Sequence, residues 1–420
     1  MIFTRDSYIN QLIQKKQNGM IKIVTGLRRC GKSFLLFKLF YEKLISDGTP
    51  DSHIIKIPLD DLEYSEFREK ISLYKFIKSK ITDNKQYYCL LDEIQLVEGF
   101  EEVLNSLLHI QNLDVYVTGS NSRFLVKDVI TEFRGRGDEI RLYPLSFKEF
   151  FESRKDEFIS AWTDYYTYGG LPLVATMKNH KEKSDYLSNL FAKVYLTDVI
   201  DRYKIRNKGE FEELLDVIAS SIGSLTNPRK IENTFKSKEK STITNKTITS
   251  YLNYLEDAFL IQPSERFDIK GRKYIGANKK YYFTDTGLRN ARLNFRQIEE
   301  THIMENVIYN ELKIRGFNVD VGIIEFNSKD KNGKTIKTQL ECDFVANRGN
   351  EKIYIQSALD LASEKKKAQE ENSLLRINDS FKKIIIQKEK IIPHYDDNGI
   401  YITCLEDFLT GDEIWANGKK

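Results

Sequence analysis

Residues 26–33 read Gly-Leu-Arg-Arg-Cys-Gly-Lys-Ser, a glycine, four residues, then Gly-Lys-Ser. In this spacing the glycines let the backbone turn so that successive N–H groups face inward, a cradle for phosphate oxygens. Lys32 carries an ammonium for β- and γ-phosphates, and the Ser33 hydroxyl is a ligand for Mg²⁺. The context agrees. A β-branched run, Ile21 to Thr25, precedes the loop, and an apolar stretch from Phe34 to Phe40 follows it. That order predicts strand, phosphate loop and helix, with Gly26, Leu27, Arg28, Arg29, Cys30, Gly31, Lys32, Ser33 and Phe34 around a nucleotide.

Such a loop calls for a second strand ending in acids. Residues 87–93, Tyr-Tyr-Cys-Leu-Leu-Asp-Glu, supply one: five apolar residues suit a strand buried on both faces. Asp92 is placed to hold Mg²⁺ and Glu93 to orient an attacking water. A third strand from Asp114 ends at Ser120 and Asn121, either of which can sense a γ-phosphate. Runs at 53–59 and 138–143 complete five strands, separated by helical patterns over 33–46, 65–80, 100–110 and 122–133. This alternation predicts a parallel sheet with helices on both faces.

These residues resemble the AAA-type bacterial and archaeal ATPases of the AAA+ P-loop superfamily. Shared segments are the arginine-rich loop, Leu-Leu-Asp92-Glu93, Thr-Gly-Ser120-Asn121, Phe-Arg134-Gly-Arg136, the 142–147 segment and Tyr168-Gly169-Gly170-Leu-Pro172, in that order. The resemblance implies ATP hydrolysis with Mg²⁺ and homo-oligomerisation. It also implies an arginine finger lent by a neighbouring subunit, with Arg136 the first candidate and Arg134 the second.

Residues 1–150 are read as the P-loop NTPase core and 151–222 as a helical lid. From 223 to 296 the order is helix, amphipathic helix (244–260, with Tyr251, Leu252, Leu255 and Phe259 on one face) and two strands, as in a winged helix-turn-helix. Residues 225–285 hold twelve Lys/Arg against seven Asp/Glu. DNA is therefore the expected partner, met by Lys246 on the second helix and by Lys270, Arg272 and Lys273 on the wing. Tyr281-Tyr-Phe-Thr-Asp285-Thr-Gly287-Leu also matches the family's segment at this position.

Residues 297–420 begin with a helix over 302–315, ended by Gly316. Strands over 317–327, 338–346 and 352–357, a helix over 361–376 and a strand over 382–387 give an αβββαβ order. This resembles the restriction-endonuclease-like domain found behind the ATPase in the same family. Its metal-dependent members use a helix Glu, a strand Asp and a lysine two residues beyond a third polar residue. The matching positions are Glu305, Asp343 and Gln356, but Ala358 stands where the lysine belongs. Lys365, Lys366 and Lys367 are the nearby substitutes. A degenerate, non-cutting site is expected.

Composition bounds these readings. In 420 residues, 40% are hydrophobic and 30% charged, with 7 Pro and 22 Gly, which excludes disordered and collagenous classes. A net charge of +3 names no partner by itself. Four scattered cysteines without a CxxC argue against a zinc site or disulfide framework. The charged N-terminus and the lack of a long apolar run predict no signal peptide, no membrane span and a cytoplasmic protein.

Overall fold

The computed structural model describes residues 2–119, 136–154, 156–239, 242–276, 278–329 and 333–411. Contacts group the chain into two compact units. One comprises Met1–Leu145, Leu171–Thr176 and Asp257–Leu260, the other Ser146–Gly170, Met177–Glu256 and Ile261–Lys420.

The first unit is built on β1 (Ile21–Gly26), β2 (Ile54–Pro58), β3 (Tyr87–Asp92), β4 (Leu113–Thr118) and β5 (Gly137–Leu142). They lie in the order β2-β3-β4-β1-β5, with every pairing parallel. Each residue of β1 and β3 is buried, the pattern of strands covered on both faces. Ile23, Ile57, Leu91 and Val117 of the sheet share an apolar cluster with Leu73, Ile77 and Leu104 from the helices.

The helix after β1 starts at Lys32, widens to a π-turn over Leu35–Phe40 and resumes over Tyr41–Ser46. The helix expected over 65–80 divides in two. Glu69 has extended backbone, and its carboxylate accepts from the Ile71 and Ser72 amides at 3.0 and 2.7 Å. It thereby caps a helix that runs only from Lys70 to Lys80. The helix expected over 122–133 lies outside the described residues.

A buried charge sits inside this sheet. Lys22 on β1 is fully buried and pairs with Asp114 on β4. Asp114 also accepts from the Tyr116 hydroxyl (2.8 Å) and the Gln17 amide (2.9 Å). Burial lowers the Lys22 pKa, with Asp114 opposing it.

The second unit carries helices Phe147–Glu152, Phe158–Tyr168, His180–Leu190 and Lys208–Ser220. Beyond them β6 (Leu225–Thr226), β7 (Ile261–Ser264) and β10 (Lys279–Phe283) form an antiparallel sheet in the order β6-β10-β7. Helices Pro228–Glu239 and Asn245–Asp257 lie between β6 and β7 in the chain. Ile248, Tyr251, Leu252 and Leu255 are buried on the second helix, while Lys246 and Thr249 are exposed.

The two strands expected here do pair, β7 against β10, but the segment that joins them folds further than expected. Between β7 and β10, β8 (Arg266–Asp268) and β9 (Lys273–Tyr274) form a hairpin, and β8 adds in parallel to the edge of another sheet. That sheet has eight strands, β15-β16-β14-β13-β12-β11-β8-β9. It uses β11 (Asn318–Lys329), β12 (Thr335–Arg348), β13 (Glu351–Ala358), β14 (Lys382–Gln387), β15 (His394–Tyr395) and β16 (Tyr401–Cys404). Lys270, Arg272 and Lys273 are exposed, but on this edge hairpin and not on a free-standing wing. The unfilled hydrogen bonds of β11 explain the recruitment, since an open strand edge takes up a neighbouring strand. β15, β16 and the helix Leu405–Thr410 extend the αβββαβ order read from the sequence.

Two segments read separately in the sequence meet in this unit. Asp285 caps the helix Thr286–Arg292 through the Leu288 amide (3.0 Å) and accepts from the Gly170 amide (2.8 Å). A Cβ on Gly169 would overlap the Asp285 carboxylate, and one on Gly287 would overlap the Tyr168 carbonyl. Among the described residues no helix is long and apolar enough to cross a membrane.

Asp114→Ala should destabilise the first unit by about 3–5 kcal/mol, because it leaves the Lys22 ammonium buried and unpaired. Cys30 and Cys89 are buried in this unit, as Cys342 and Cys404 are in the other, so labelling of Cys30 and Cys89 against urea, resolved by peptide mapping, reads its unfolding. Labelling midpoints equal to those of the wild type would remove the pair from the account of stability.

Candidate functional site

The loop after β1 owes its path to two close contacts. Gly26 has φ +142°, and a Cβ there would overlap the carbonyl oxygen of Leu142 at the end of β5. Gly31, at φ +101°, has only the Pro172 ring nearby, 3.8 Å from its would-be Cβ. Cys30 points back into the fold, its thiol reaching the Leu142 carbonyl at 3.5 Å. Burial pushes that thiol's pKa up, so it stays neutral beside Lys32.

Arg5, which the sequence reading passed over, secures the outer side. It is buried, and its guanidinium donates to the Cys30 carbonyl (3.0 Å), the Tyr143 carbonyl (2.6 Å) and the Pro144 carbonyl (3.3 Å). A charged residue in an N-terminal segment carries no local signal of such a role.

Within the loop, Lys32 is buried and its ammonium donates to the carbonyls of Gly26 (3.0 Å) and Leu27 (3.1 Å). Ser33 is exposed at the first helical turn, with its hydroxyl near enough to the Asp92 carboxyl to favour the charged form. Asp92 is buried at the end of β3 and accepts from the Thr118 hydroxyl. The Glu93 amide donates to the same Thr118 oxygen at 3.0 Å. Glu93 itself has φ +51°, and its carboxylate accepts from the Gln95 amide. Thr118 thus ties both acids to β4, a role the sequence reading assigned to no residue. Its place at the end of the strand beside β3 was the available signal.

Burial pushes the Asp92 carboxyl above its ordinary range. The Ser33 and Thr118 hydroxyls pull it down, and Glu93 and Asp60 add to the rise. This donor set fits a phosphate chain with Mg²⁺: backbone turned by glycines, an ammonium inside the loop, and a hydroxyl and a carboxylate of complementary chemistry. Arg28 is half-buried and Arg29 and Phe34 are exposed around the loop. Arg136 is exposed, and its carbonyl accepts from the Ile21 amide at 2.9 Å. It therefore stands at the start of β5, whereas the phosphate loop follows the end of β1, which pairs with the end of β5. The strand puts roughly 17 Å between them. Ser120, Asn121 and Arg134 lie outside the described residues.

Residues 18–151 match the AAA domain family, and residues 159–299 match a domain of unknown function, DUF8612. An uncharacterised protein of Haemophilus influenzae is 33% identical over 97% of this chain and 98% of its own length. The chain belongs to the same family as this Haemophilus protein, and its residues 18–151 are an AAA domain. The uncharacterised protein MJ1544 of Methanocaldococcus jannaschii is 28% identical over 71% of this chain and 67% of its own. Among solved structures, the Aeropyrum pernix ORC1 protein in complex with DNA covers 70% of this chain and 92% of its own, at 11% identity and a TM-score of 0.34. That likeness is too slight to carry an argument.

In the tail, the structure brings Glu305 and Asp343 together but turns Gln356 away. Its side-chain amide donates to Glu370 at 3.0 Å, and only its carbonyl oxygen meets Asp343, at the backbone amide (3.3 Å). Ala358 lies in an apolar cluster with Tyr354, Leu374 and Ile385, so a lysine there would enter the core. Lys366 and Lys367 pair with Asp360 (2.8 Å) and Glu371 (3.7 Å), and Lys365 is exposed. The cation beside the acids is Lys280 of β10, 2.9 Å from Glu305 and 2.6 Å from Glu341. No sequence spacing links it to them.

Asp92→Asn should raise the stability of the nucleotide-free protein near neutral pH and weaken Mg²⁺-dependent nucleotide binding. Because the folded-state pKa of Asp92 lies above its unfolded value, protonation favours the folded wild type as pH falls. The variant's advantage should therefore shrink on acidification, as read from paired melting curves between roughly pH 5 and 8. A constant difference would mean that Asp92 titrates like an exposed acid.

Proposed function

We propose that the protein is a Mg²⁺-dependent ATPase that couples nucleotide turnover to binding or remodelling of DNA. The observation that carries the ATPase reading is the buried Asp92 carboxyl, held by Thr118 at the end of β3, together with the Lys32 ammonium inside its glycine-turned loop. The backbone of 26–33 would hold the phosphates, with the Lys32 ammonium moving from its two loop carbonyls to the β- and γ-phosphates. Ser33 and Asp92 would hold Mg²⁺, which supplies charge neutralisation of the phosphoryl oxygens. Glu93, held at its amide by Thr118, would orient the attacking water and take its proton.

The remote position of Arg136 supports a finger given to another subunit of a homo-oligomer, because it is out of reach of its own loop. The division into a core (1–150), a lid (151–222), a winged helix (223–296) and a nuclease-like tail (297–420) belongs to the same proposal. The β6-β10-β7 sheet with its two helices supports the winged-helix reading. The pairing of β11, β12 and β13 beside a helix bearing Glu305 supports the tail. DNA binding rests on Lys246 and Thr249, exposed opposite the buried face of their helix, and on the exposed hairpin bases Lys270, Arg272 and Lys273.

Glu93→Gln should retain ATP binding while hydrolysis falls by about 10²–10⁴-fold, whereas Lys32→Ala should lose binding itself. Loss of both binding and turnover in Glu93→Gln would make Glu93 structural. For DNA, Lys246→Ala should weaken binding across sequences and reduce the magnitude of the salt slope by about one. Fluorescence anisotropy of labelled duplex and fork DNA over a salt series provides the measurement. Unchanged affinity and slope would remove this helix from the interface.

A further inference from the structure

The tail's acids meet a cation that the chain itself supplies. The Lys280 side chain is 4% exposed, and its ammonium pairs with Glu305 (2.9 Å) and Glu341 (2.6 Å). Glu305 also accepts from the Tyr282 hydroxyl at 2.6 Å, and Tyr282 is fully buried and stacked on Tyr309 at 4.2 Å. The Gly223 backbone closes over the same carboxylate, with a would-be Cβ 3.1 Å from its oxygens.

Asp343 accepts from the Ser357 amide at 2.8 Å and feels both Glu305 and Lys280. Burial alone would lower the Lys280 pKa, but Glu305, Asp343 and Glu341 together hold it above its usual value. Burial and the Glu305 charge raise Asp343 well above the carboxylate range. Each ionisable group at this place is thus matched to another side chain or to a proton.

A divalent metal requires a different arrangement. Mg²⁺ takes six oxygens in near-octahedral order, and among the described residues no three acids, imidazoles or thiols converge to hold a metal ion. We infer that the Lys280 ammonium stands permanently where a nuclease of this architecture would bind its divalent cation. The acids of the tail then serve to clamp β10, the strand that carries Lys280 and Tyr282, and they take up no Mg²⁺ or Mn²⁺. Ala358 follows from this: with the charge supplied from β10, its position is free to join the apolar core.

The test uses the full-length, nucleotide-free protein with MnCl₂, following free Mn²⁺ by electron paramagnetic resonance and stability by thermal melting. The wild type should show the same Mn²⁺ binding and the same response of its melting midpoint as Asp343→Asn. Lys280→Gln, which strips the charge and leaves the acids facing one another, should melt lower. It should also bind one more Mn²⁺ than the wild type, recover part of its midpoint with the metal, and lose that site when Asp343→Asn is added.

Two results overturn the inference: Mn²⁺ binding by the wild type that Asp343→Asn removes, or a folded Lys280→Gln that gains no site. Should Lys280→Gln fail to fold, Lys280→Arg keeps the charge and should fold without binding extra Mn²⁺. An added, Asp343-dependent site in Lys280→Arg would then refute the resident cation, as would one in the wild type.

Discussion

The first unit of this protein depends on one close approach, that of Gly26 to the carbonyl of Leu142. Any side chain at residue 26 would occupy the space of that oxygen, so β1 can pair with β5 to its last residue only because a glycine stands there. The same carbonyl meets the Cys30 thiol, and Arg5 holds the Cys30, Tyr143 and Pro144 carbonyls from the other side. The loop is therefore stretched between the end of β5 and a buried guanidinium before any ligand arrives. Pre-organisation of this kind lowers what a phosphate must offset on binding.

The acids facing the loop show the other side of that arrangement. Asp92 is buried where its charged form is disfavoured, and two hydroxyls only partly relieve it. In the proposed function a cation and a phosphate chain would complete the match. Lys22 and Asp114 in the same sheet form a contrasting case. Their charges are matched internally, so they anchor β1 to β4 and ask nothing of a ligand. Buried charge by itself thus does not mark a site; charge left unmatched by the fold does.

The tail extends this distinction. Its acids resemble those of a metal centre in type and order, yet the ammonium of Lys280 already occupies their company. The consequence is mechanical. β10 belongs to the β6-β10-β7 sheet, and through Lys280 and Tyr282 it is held by the helix and strand that bear Glu305 and Glu341. The β8–β9 hairpin adds a second tie, since it leaves the chain between β7 and β10 and completes the edge of the eight-stranded sheet. The middle and the tail of the second unit are therefore not separable beads.

Much of this was legible in the residues themselves. The phosphate loop, the five parallel strands and the Asp92-Glu93 strand end are local patterns: a glycine spacing, β-branched runs and apolar runs that end in acids. Periodicity placed Tyr251, Leu252 and Leu255 on the buried face of their helix for the same reason. Pairings between distant segments left no such trace. Arg5 on the Cys30 carbonyl, Thr118 on Asp92, Asp285 against Gly170 and Lys280 on Glu305 join positions separated by 25 to 115 residues. The capture of β8 by a strand edge and the π-turn after Lys32 likewise follow from packing. Local spacing dictates which backbone forms and where chemistry-bearing groups start, whereas the partner that neutralises a charge is chosen only when the folded chain brings one within reach.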